Sequence, residues 1–174
     1  MIRLAICDDN HNQIEIIRRC ADNYFSDKYE YSIKVFDNPL NFLENLDKNG
    51  GYDILLLDIC MPGILGVDVA KQIRKRKDKT EIIFLTTSDE FAVDAFALKA
   101  AHYIIKPFTQ EMFNEGMDRA TTRFVNSCSK KLLVRTERGD IINIDINDII
   151  YIQSNGHNQT IYLESHEDCR ETRR

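Results

Sequence analysis

Acidic, hydroxyl and basic residues stand where short apolar runs end in the first two-thirds of the sequence. One run ends at Asp8 and Asp9, another at Asp58, and two later runs at Thr86 and Lys106. Three carboxylates brought together repel one another unless a cation offsets their charge. Carboxylate oxygens, completed by waters and a phosphate, suit Mg²⁺ better than zinc. The pattern therefore predicts a magnesium site in which Asp58 is a nucleophile that takes a phosphoryl group as an acyl phosphate.

The remaining polar residues fit the same chemistry. Lys106 is expected to stabilise the phosphoryl oxygens during in-line transfer, and Thr86 offers a hydroxyl to one of those oxygens. Taken alone, Asp58 could simply begin the turn at Met61-Pro62-Gly63, because Asp is a common turn residue. Polar groups at the same end of four separate strands are harder to explain as incidental, and they favour a site.

The elements that must position these residues follow from the apolar pattern. The run Ile54–Leu57, cut off by Pro and Gly, is typical of a strand buried on both faces of a parallel sheet. The other runs are each followed by apolar residues at helical spacing, as in Ile14, Ile17 and Ala21. Five consecutive βα units predict an α/β fold with helices on both faces of a parallel sheet. Thr109 is a plausible cap for the last helix.

Composition narrows the class of protein. The chain has 43% hydrophobic and 29% charged side chains, which indicates a soluble protein. Its length of 174 residues indicates one complete domain and an additional segment. No apolar stretch suits a membrane helix or signal peptide, so we expect a cytoplasmic protein that does not contact membranes. Residues 1 to 124 carry 16 Lys/Arg against 20 Asp/Glu, and residues 125 to 174 carry 7 against 8. Neither part has the positive field of a strong nucleic-acid binder.

Two further features allow more than one interpretation. The five cysteines are odd in number and lack metal-binding spacing, so we expect reduced, mostly packed thiols. The basic run from Arg74 to Lys79 could bind phosphate or nucleic acid, but basic residues also complement the dipole at a helix end, and we favour that second interpretation.

A family resemblance rests on several short motifs in residues 1 to 124. It is carried by Asp8-Asp9, Asp58 with Met61-Pro62-Gly63 and Gly66 after it, Thr86, Tyr103, and Lys106-Pro107-Phe108. Together they resemble the receiver domain of a bacterial two-component response regulator. The resemblance implies a five-stranded doubly wound, flavodoxin-like sheet in the order 2-1-3-4-5. It also implies Mg²⁺ bound by Asp9, Asp58 and the backbone carbonyl of Cys60, with Asp8 acting through water, and a sensor histidine kinase as phosphoryl donor.

The same resemblance implies how a signal leaves the site. Thr86 and Tyr103 would form a coupled switch that remodels the face of the fourth helix, fifth strand and fifth helix, through which such receivers often form homodimers. It also implies a cis Lys106-Pro107 peptide bond. Apart from magnesium-dependent self-phosphotransfer and slow autodephosphorylation, no enzyme activity is expected. Two residues depart from the pattern: Thr87 replaces a small residue and could narrow access to the phosphoryl site, and His102 stands where Asp is common.

The rest of the chain follows a different pattern. Residues 125–130 make a plausible polar linker, and residues 131–174 contain short apolar runs separated by Arg138-Gly139-Asp140 and Asn155-Gly156 turns, which predicts a partial all-β segment. The resemblance of this part to the opening strands of the LytTR-type DNA-binding domain is carried by Leu133-Val134, Arg138-Gly139, and Asp148–Ser154 followed by His157. In that family, a loop histidine at the position of His157 approaches DNA. Equally, His157 could be an ordinary turn residue. The chain ends before such a domain is complete, so we expect a truncated domain whose strands are disordered or paired with another molecule.

Three functions remain to be distinguished. The first is a transcription regulator that binds DNA through the complete LytTR domain, and the second is a truncated receiver that binds a kinase or partner without binding DNA. The third is a phosphatase of the haloacid dehalogenase type, but Cys60 stands where that chemistry needs a second acid. Flavin binding is also disfavoured, because no Ser/Thr/Gly phosphate loop follows the first strand.

Overall fold

A computed structural model describes residues 1–26, 28–49, 51–76, 78–128, 131–136, 140–155 and 158–163. The chain divides into two compact units, Met1–Phe124 and Val125–Arg174. Among the described residues, no helix is both long enough and apolar enough to span a bilayer.

Five strands alternate with five helices from the start of the chain. They are β1 (Ile2–Cys7), α1 (His11–Phe25), β2 (Tyr31–Phe36), α2 (Pro39–Asn49), β3 (Ile54–Leu57), α3 (Gly66–Lys75), β4 (Glu81–Thr86), α4 (Ala92–Ala97), β5 (His102–Ile105) and α5 (Gln110–Cys128). The strands form one sheet in the order β2-β1-β3-β4-β5, and every neighbouring pair is parallel. The predicted doubly wound fold and strand order are therefore confirmed.

Alternate residues of the central strands enter two separate apolar cores. One core joins Leu4 and Leu56 to the inward faces of α1 and α5, and the other joins Ala5 and Leu57 to α2 and α3. All four residues of β3 are buried, as expected for a strand with helices on both sides. The sheet is thus packed on both faces, and the polar residues emerge at its carboxyl edge.

Short polar side chains fix where several helices begin. The side-chain Oδ1 of Asn10 accepts hydrogen bonds from the main-chain N–H groups of Asn12 and Gln13 and so caps α1. Asn38 accepts from Leu40 N at 2.7 Å at the start of α2. The Thr109 hydroxyl accepts from Met112 N at 3.4 Å, as the sequence predicts.

The last helix of this series is longer than the sequence suggests. α5 continues to Cys128, so residues 125–128 of the predicted linker are helical. Neither Pro nor Gly occurs between Gly116 and Gly139, so the sequence provides no strong helix breaker there.

The second unit consists of antiparallel strand pairs. β6 (Lys131–Arg135) pairs with β7 (Ile141–Asp145), a single 3₁₀ turn covers Ile146–Asp148, and β8 (Ile149–Asn155) pairs with β9 (Asn158–Leu163). The rings of Tyr151 and Tyr162 stack across the second pair with centroids 4.2 Å apart. This confirms the predicted change to short β-strands. His157 and the Arg138-Gly139 turn lie outside the described residues.

Candidate functional site

Three carboxylates meet at the carboxyl edge of the sheet. One oxygen from each of Asp8, Asp9 and Asp58 lies within 4.8 Å of the other two. Asp8 and Asp58 are buried, whereas Asp9 is exposed. The Asp58 N–H donates to Cys7 O at 2.9 Å, which extends the β1–β3 ladder beyond β3 and holds the two acidic segments side by side. The cluster therefore follows directly from the pairing of two central strands.

Lys106 is the cation that faces this cluster. Its Nζ lies 2.6 Å from Asp8 Oδ2 and 3.4 Å from Asp58 Oδ2, and its side chain is buried. Burial raises the pKa of the Asp8 carboxyl above its ordinary value, while the hydrogen bond from Lys106 opposes that rise. One lysine against three carboxylates leaves the site short of positive charge. An all-oxygen donor set with that deficit fits a divalent cation such as Mg²⁺.

The two oxygens of Asp58 have different surroundings. Oδ1 accepts hydrogen bonds from the main-chain N–H groups of Ile59 at 2.7 Å and Cys60 at 3.4 Å. Oδ2 faces the ammonium group of Lys106. The main chain thus orients the carboxylate, and Oδ2 is the oxygen placed for reaction beside a cation.

The segment after Asp58 requires a glycine at position 66 for steric reasons. A Cβ atom at this position would lie 2.0 Å from the Asp58 carbonyl oxygen and 2.8 Å from Ile59 Cα. The Gly66 N–H also donates to Ile59 O at 2.9 Å. Only a residue without a side chain allows α3 to begin this close to the turn. Gly63, with φ of 90°, provides the left-handed residue of the same turn.

The hydroxyl of Thr86 lies against the side chain of Cys60. Thr86 is fully buried, and its Oγ1 lies 3.5 Å from Cys60 Sγ and accepts a bond from Ser88 N at 3.4 Å. The Tyr103 hydroxyl donates to Ser88 O at 2.6 Å. Thr86 and Tyr103 are therefore both bonded to Ser88, in the β4–α4 loop. The contact between Cys60 and Thr86 has no counterpart in the sequence pattern.

The chain after β5 returns to the same edge. The Lys106 N–H donates to Thr86 O at 2.8 Å, which extends the β4–β5 pairing and directs the lysine side chain toward the acids. The Lys106-Pro107 peptide bond is cis, as the resemblance implies. Thr87 is exposed next to the buried Thr86.

Two arginines of the basic run at the end of α3 have internal partners. Arg74 donates to the main-chain carbonyls of Asp78, Thr80 and Leu98, and Arg76 pairs with Asp47 at 2.6 Å. These contacts favour a structural role for the run over a phosphate or nucleic-acid site.

A comparison with protein families decides the identity of the first unit. Residues 4–118 match the family described as the response regulator receiver domain. The chain belongs to this family. A receiver assignment also explains why three acids, a threonine and a lysine from separate strands converge at one edge of the sheet.

Known regulators are similar over a larger part of the chain. The sensory transduction protein LytT of Oceanobacillus iheyensis is 35% identical over 138 residues, which cover 75% of this chain and 54% of that protein. LytT of Bacillus subtilis is 27% identical over 163 residues, which cover 87% of this chain and 64% of that protein. The second alignment therefore extends past the receiver into the β-strand unit. The chain spans about half the length of the curated relatives it matches.

Solved structures agree with the receiver fold. The response regulatory domain of MrkE from Klebsiella pneumoniae matches with a TM-score of 0.65 and 28% identity, covering 72% of this chain and 99% of that one. TrrA from Thermotoga maritima, solved in complex with Mg²⁺ and beryllofluoride, matches with a TM-score of 0.60 and 31% identity. The match to TrrA covers 69% of this chain and 99% of the TrrA chain.

Proposed function

We propose that Asp58 accepts a phosphoryl group from a sensor histidine kinase and that this phosphorylation controls a LytTR-type transcriptional output. The observation that carries the proposal is the position of Lys106, whose Nζ lies within 3.4 Å of carboxylate oxygens from both Asp8 and Asp58. A buried lysine between two acids places positive charge where the oxygens of an incoming phosphoryl group would gather.

The transfer itself forms one bond and breaks one. Asp58 Oδ2 attacks the phosphorus of a phosphohistidine, an O–P bond forms, and the N–P bond breaks with its electron pair going to the imidazole nitrogen. Lys106 binds a phosphoryl oxygen, and the Thr86 hydroxyl donates to another. Asp9, Asp58 and the Cys60 carbonyl, with Asp8 through water, would hold Mg²⁺, which offsets the carboxylate charge and that of the phosphoryl group. The match to TrrA, solved with Mg²⁺ and a phosphoryl mimic, supports this cofactor.

The acyl phosphate is proposed to be a lasting modification of the protein and not an intermediate of enzymatic turnover. Cys60 stands two residues after the nucleophile, and a thiol there supplies no carboxylate base to activate water against the phosphorus. We therefore expect slow autodephosphorylation and no separate phosphatase activity.

Thr86 would transmit the effect of phosphorylation from Asp58 to the β4–α4 loop. When its hydroxyl turns to the phosphoryl group it gives up the contact with Cys60 Sγ and the bond from Ser88 N. Tyr103, bonded to Ser88 O, then changes position with the loop. The face that includes α4, β5 and α5 is altered as a result, and homodimerisation through that face is part of the proposal.

The output is proposed from the relatives and the β-strand unit. The LytR and LytT relatives are named as sensory transduction and transcriptional regulatory proteins, which supports a DNA-binding function for a complete LytTR domain. The alternative is a kinase-titrating module without DNA binding, which the net negative charge of both units favours. Sequence-specific DNA binding by this chain that is lost on His157→Ala would reject the alternative.

Phosphorylation can be tested directly on the purified chain. Incubation with acetyl phosphate and Mg²⁺ should add one phosphoryl group by intact mass, and chelation of the metal should prevent it. Lys106→Ala and Thr86→Ala should slow the reaction. A neutral change on the outer face of α1, Glu15→Gln, serves as the control and should leave it unchanged. Equal phosphorylation of the Lys106→Ala protein would contradict the assigned role of the lysine.

A further inference from the structure

The helix next to the β4–α4 loop is weakly held along its length. Phe91 at the amino end of α4 provides no side-chain cap, and within the helix only Ala95 is buried. Val93 and Phe96 are 80% and 87% exposed. A six-residue helix with so little buried surface has little stability of its own, so its position depends on how its two ends are attached.

The carboxyl end of α4 closes in a regular hydrogen-bonded turn. Lys99 N donates to Phe96 O at 3.0 Å, and Ala100 N donates to Ala95 O at 3.0 Å, which is the pair of bonds of a Schellman motif. Lys99 has φ of 55°, the left-handed conformation that this motif requires and that a non-glycine residue adopts at a cost. A further contact that offsets this cost would stabilise the turn.

Two arginines from neighbouring helices supply that contact. Arg74 on α3 donates through Nε to Leu98 O at 2.9 Å. Arg123 on α5 donates through NH1 to Ala100 O at 3.1 Å and Lys99 O at 3.5 Å. Three consecutive carbonyls just past α4 are therefore bound by charged donors, and charge-assisted hydrogen bonds are stronger than those between neutral groups.

Each arginine is also fixed at a second point. Arg74 NH1 donates to Asp78 O at 3.2 Å and Thr80 O at 2.8 Å, in the segment that leads into β4. Arg123 NH1 lies 3.7 Å from a carboxylate oxygen of Glu81, the first residue of β4. The turn after α4 is thus connected to the amino end of β4. Thr86 lies at the other end of that strand, about 17 Å away at the usual rise per residue.

We infer that α4 responds to phosphorylation as a lever hinged at its carboxyl end, with Arg74 and Arg123 holding the turn at Leu98–Ala100 in place. The inference rests on the proposed function, because phosphorylation of Asp58 is what displaces Thr86 and Ser88. The amino end of α4 follows that loop, whereas the clamped end does not. Val93, nearer the end that follows the loop, then moves farther than Phe96.

The hinge makes the arginines positioning residues for signal output. Both arginines contact the amino end of β4 or the segment that leads into it, at the opposite end of the strand from Thr86. Neutralising either one should leave phosphoryl acceptance unchanged while the displacement spreads into the turn after α4. The exposed surface around Val93 and Phe96 would then lose its defined orientation in the phosphorylated protein.

Hydrogen–deuterium exchange on the full chain, with and without Mg²⁺ and beryllofluoride, tests the hinge. Four proteins are compared: the unaltered chain, Arg123→Gln, Arg74→Gln, and Arg119→Gln as the matched control on α5, where Arg119 pairs with Glu115 instead of the turn. Bound fluoride is measured by ¹⁹F NMR in the same samples. Arg123 is half-exposed, so its variant keeps the test valid if Arg74→Gln does not fold.

In the unaltered chain and the control, the mimic should change exchange in residues 87–94 and leave 98–101 unchanged. In Arg123→Gln, exchange at 98–101 should rise about tenfold, as expected for loss of a charge-assisted bond, and should become sensitive to the mimic. Equal changes at both ends of α4 in the unaltered chain, or unchanged protection at 98–101 in the variant, would overturn the hinge. Absence of bound fluoride in the unaltered chain would instead overturn the proposed phosphorylation site.

Discussion

Asp58→Asn should make the metal-free protein more stable, although it removes the proposed phosphoryl acceptor. The substitution keeps an oxygen that can accept from Ile59 N, so the turn after β3 remains bonded. It removes the attraction between Asp58 and Lys106 at 3.4 Å and the repulsion from Asp8 and Asp9 within 4.8 Å. The sign of the effect depends on which of these is larger.

The distances allow an estimate. With an effective dielectric constant of about 20, the attraction is worth about 5 kcal/mol and each repulsion about 3.5 kcal/mol or more. Two repulsions exceed one attraction by about 2 kcal/mol. For a protein of this size, that difference corresponds to a rise in Tm of about 4 to 8 °C.

Thermal unfolding in EDTA and in excess Mg²⁺ provides the assay. Mg²⁺ bound as proposed would stabilise the unaltered protein by about 2.7 kcal/mol at one hundred times its Kd. Because the variant has lost one of the proposed ligands, the order of the two Tm values should reverse in Mg²⁺. Glu15→Gln, a neutralisation on the exposed face of α1, should change Tm little in either buffer. A lower Tm for Asp58→Asn in EDTA would show instead that the attraction to Lys106 outweighs the repulsion among the three carboxylates.

Three further predictions concern residues around the site and the helices. Gly66→Ala should destabilise the fold by about 3 kcal/mol or more because its Cβ would overlap main-chain atoms, whereas Gly63→Ala, with open space but a positive φ, should cost only about 1 kcal/mol in chemical denaturation. Burial and the charge of Arg119 lower the pKa of His102 below its ordinary value of 6.5. The unfolded chain therefore binds a proton more readily, so the free energy of unfolding should fall as the pH drops below 6.5, and His102→Gln should flatten this dependence. A variant that keeps the full pH dependence would exclude the imidazole as its source. Tyr24→Phe removes bonds of 2.6 and 3.1 Å to α5 and should cost about 1 to 2 kcal/mol; an unchanged unfolding midpoint would show that water replaces them.

The sheet and the residues that meet at its edge can be predicted from the sequence. Parallel strands end at the same edge, so a polar residue after each apolar run must emerge near the others, whatever the details of packing. Asp58 and Lys106 are 48 positions apart, yet this argument alone places them together. The length of α5 is less predictable, because only a weak preference distinguishes a continued helix from a polar linker.

Other features have no signal in the sequence. Val93 and Phe96 have helical spacing, but spacing does not show whether another element covers them, and both are exposed. Arg74 binds main-chain carbonyls. Because every residue has a main-chain carbonyl, the sequence does not show which residues Arg74 contacts. The contact between Cys60 and Thr86 depends on two side chains that meet only once the strands are paired.

Asp58 is the proposed site of the phosphoryl group. Treating the phosphorylated chain with borohydride reduces an aspartyl phosphate to homoserine, and peptide mass mapping then locates the altered residue. We predict homoserine at position 58, present only after incubation with Mg²⁺ and a phosphodonor. Homoserine at position 8 or 9, or none in a chain that carries phosphate, would contradict the assignment of Asp58 as the phosphoryl acceptor.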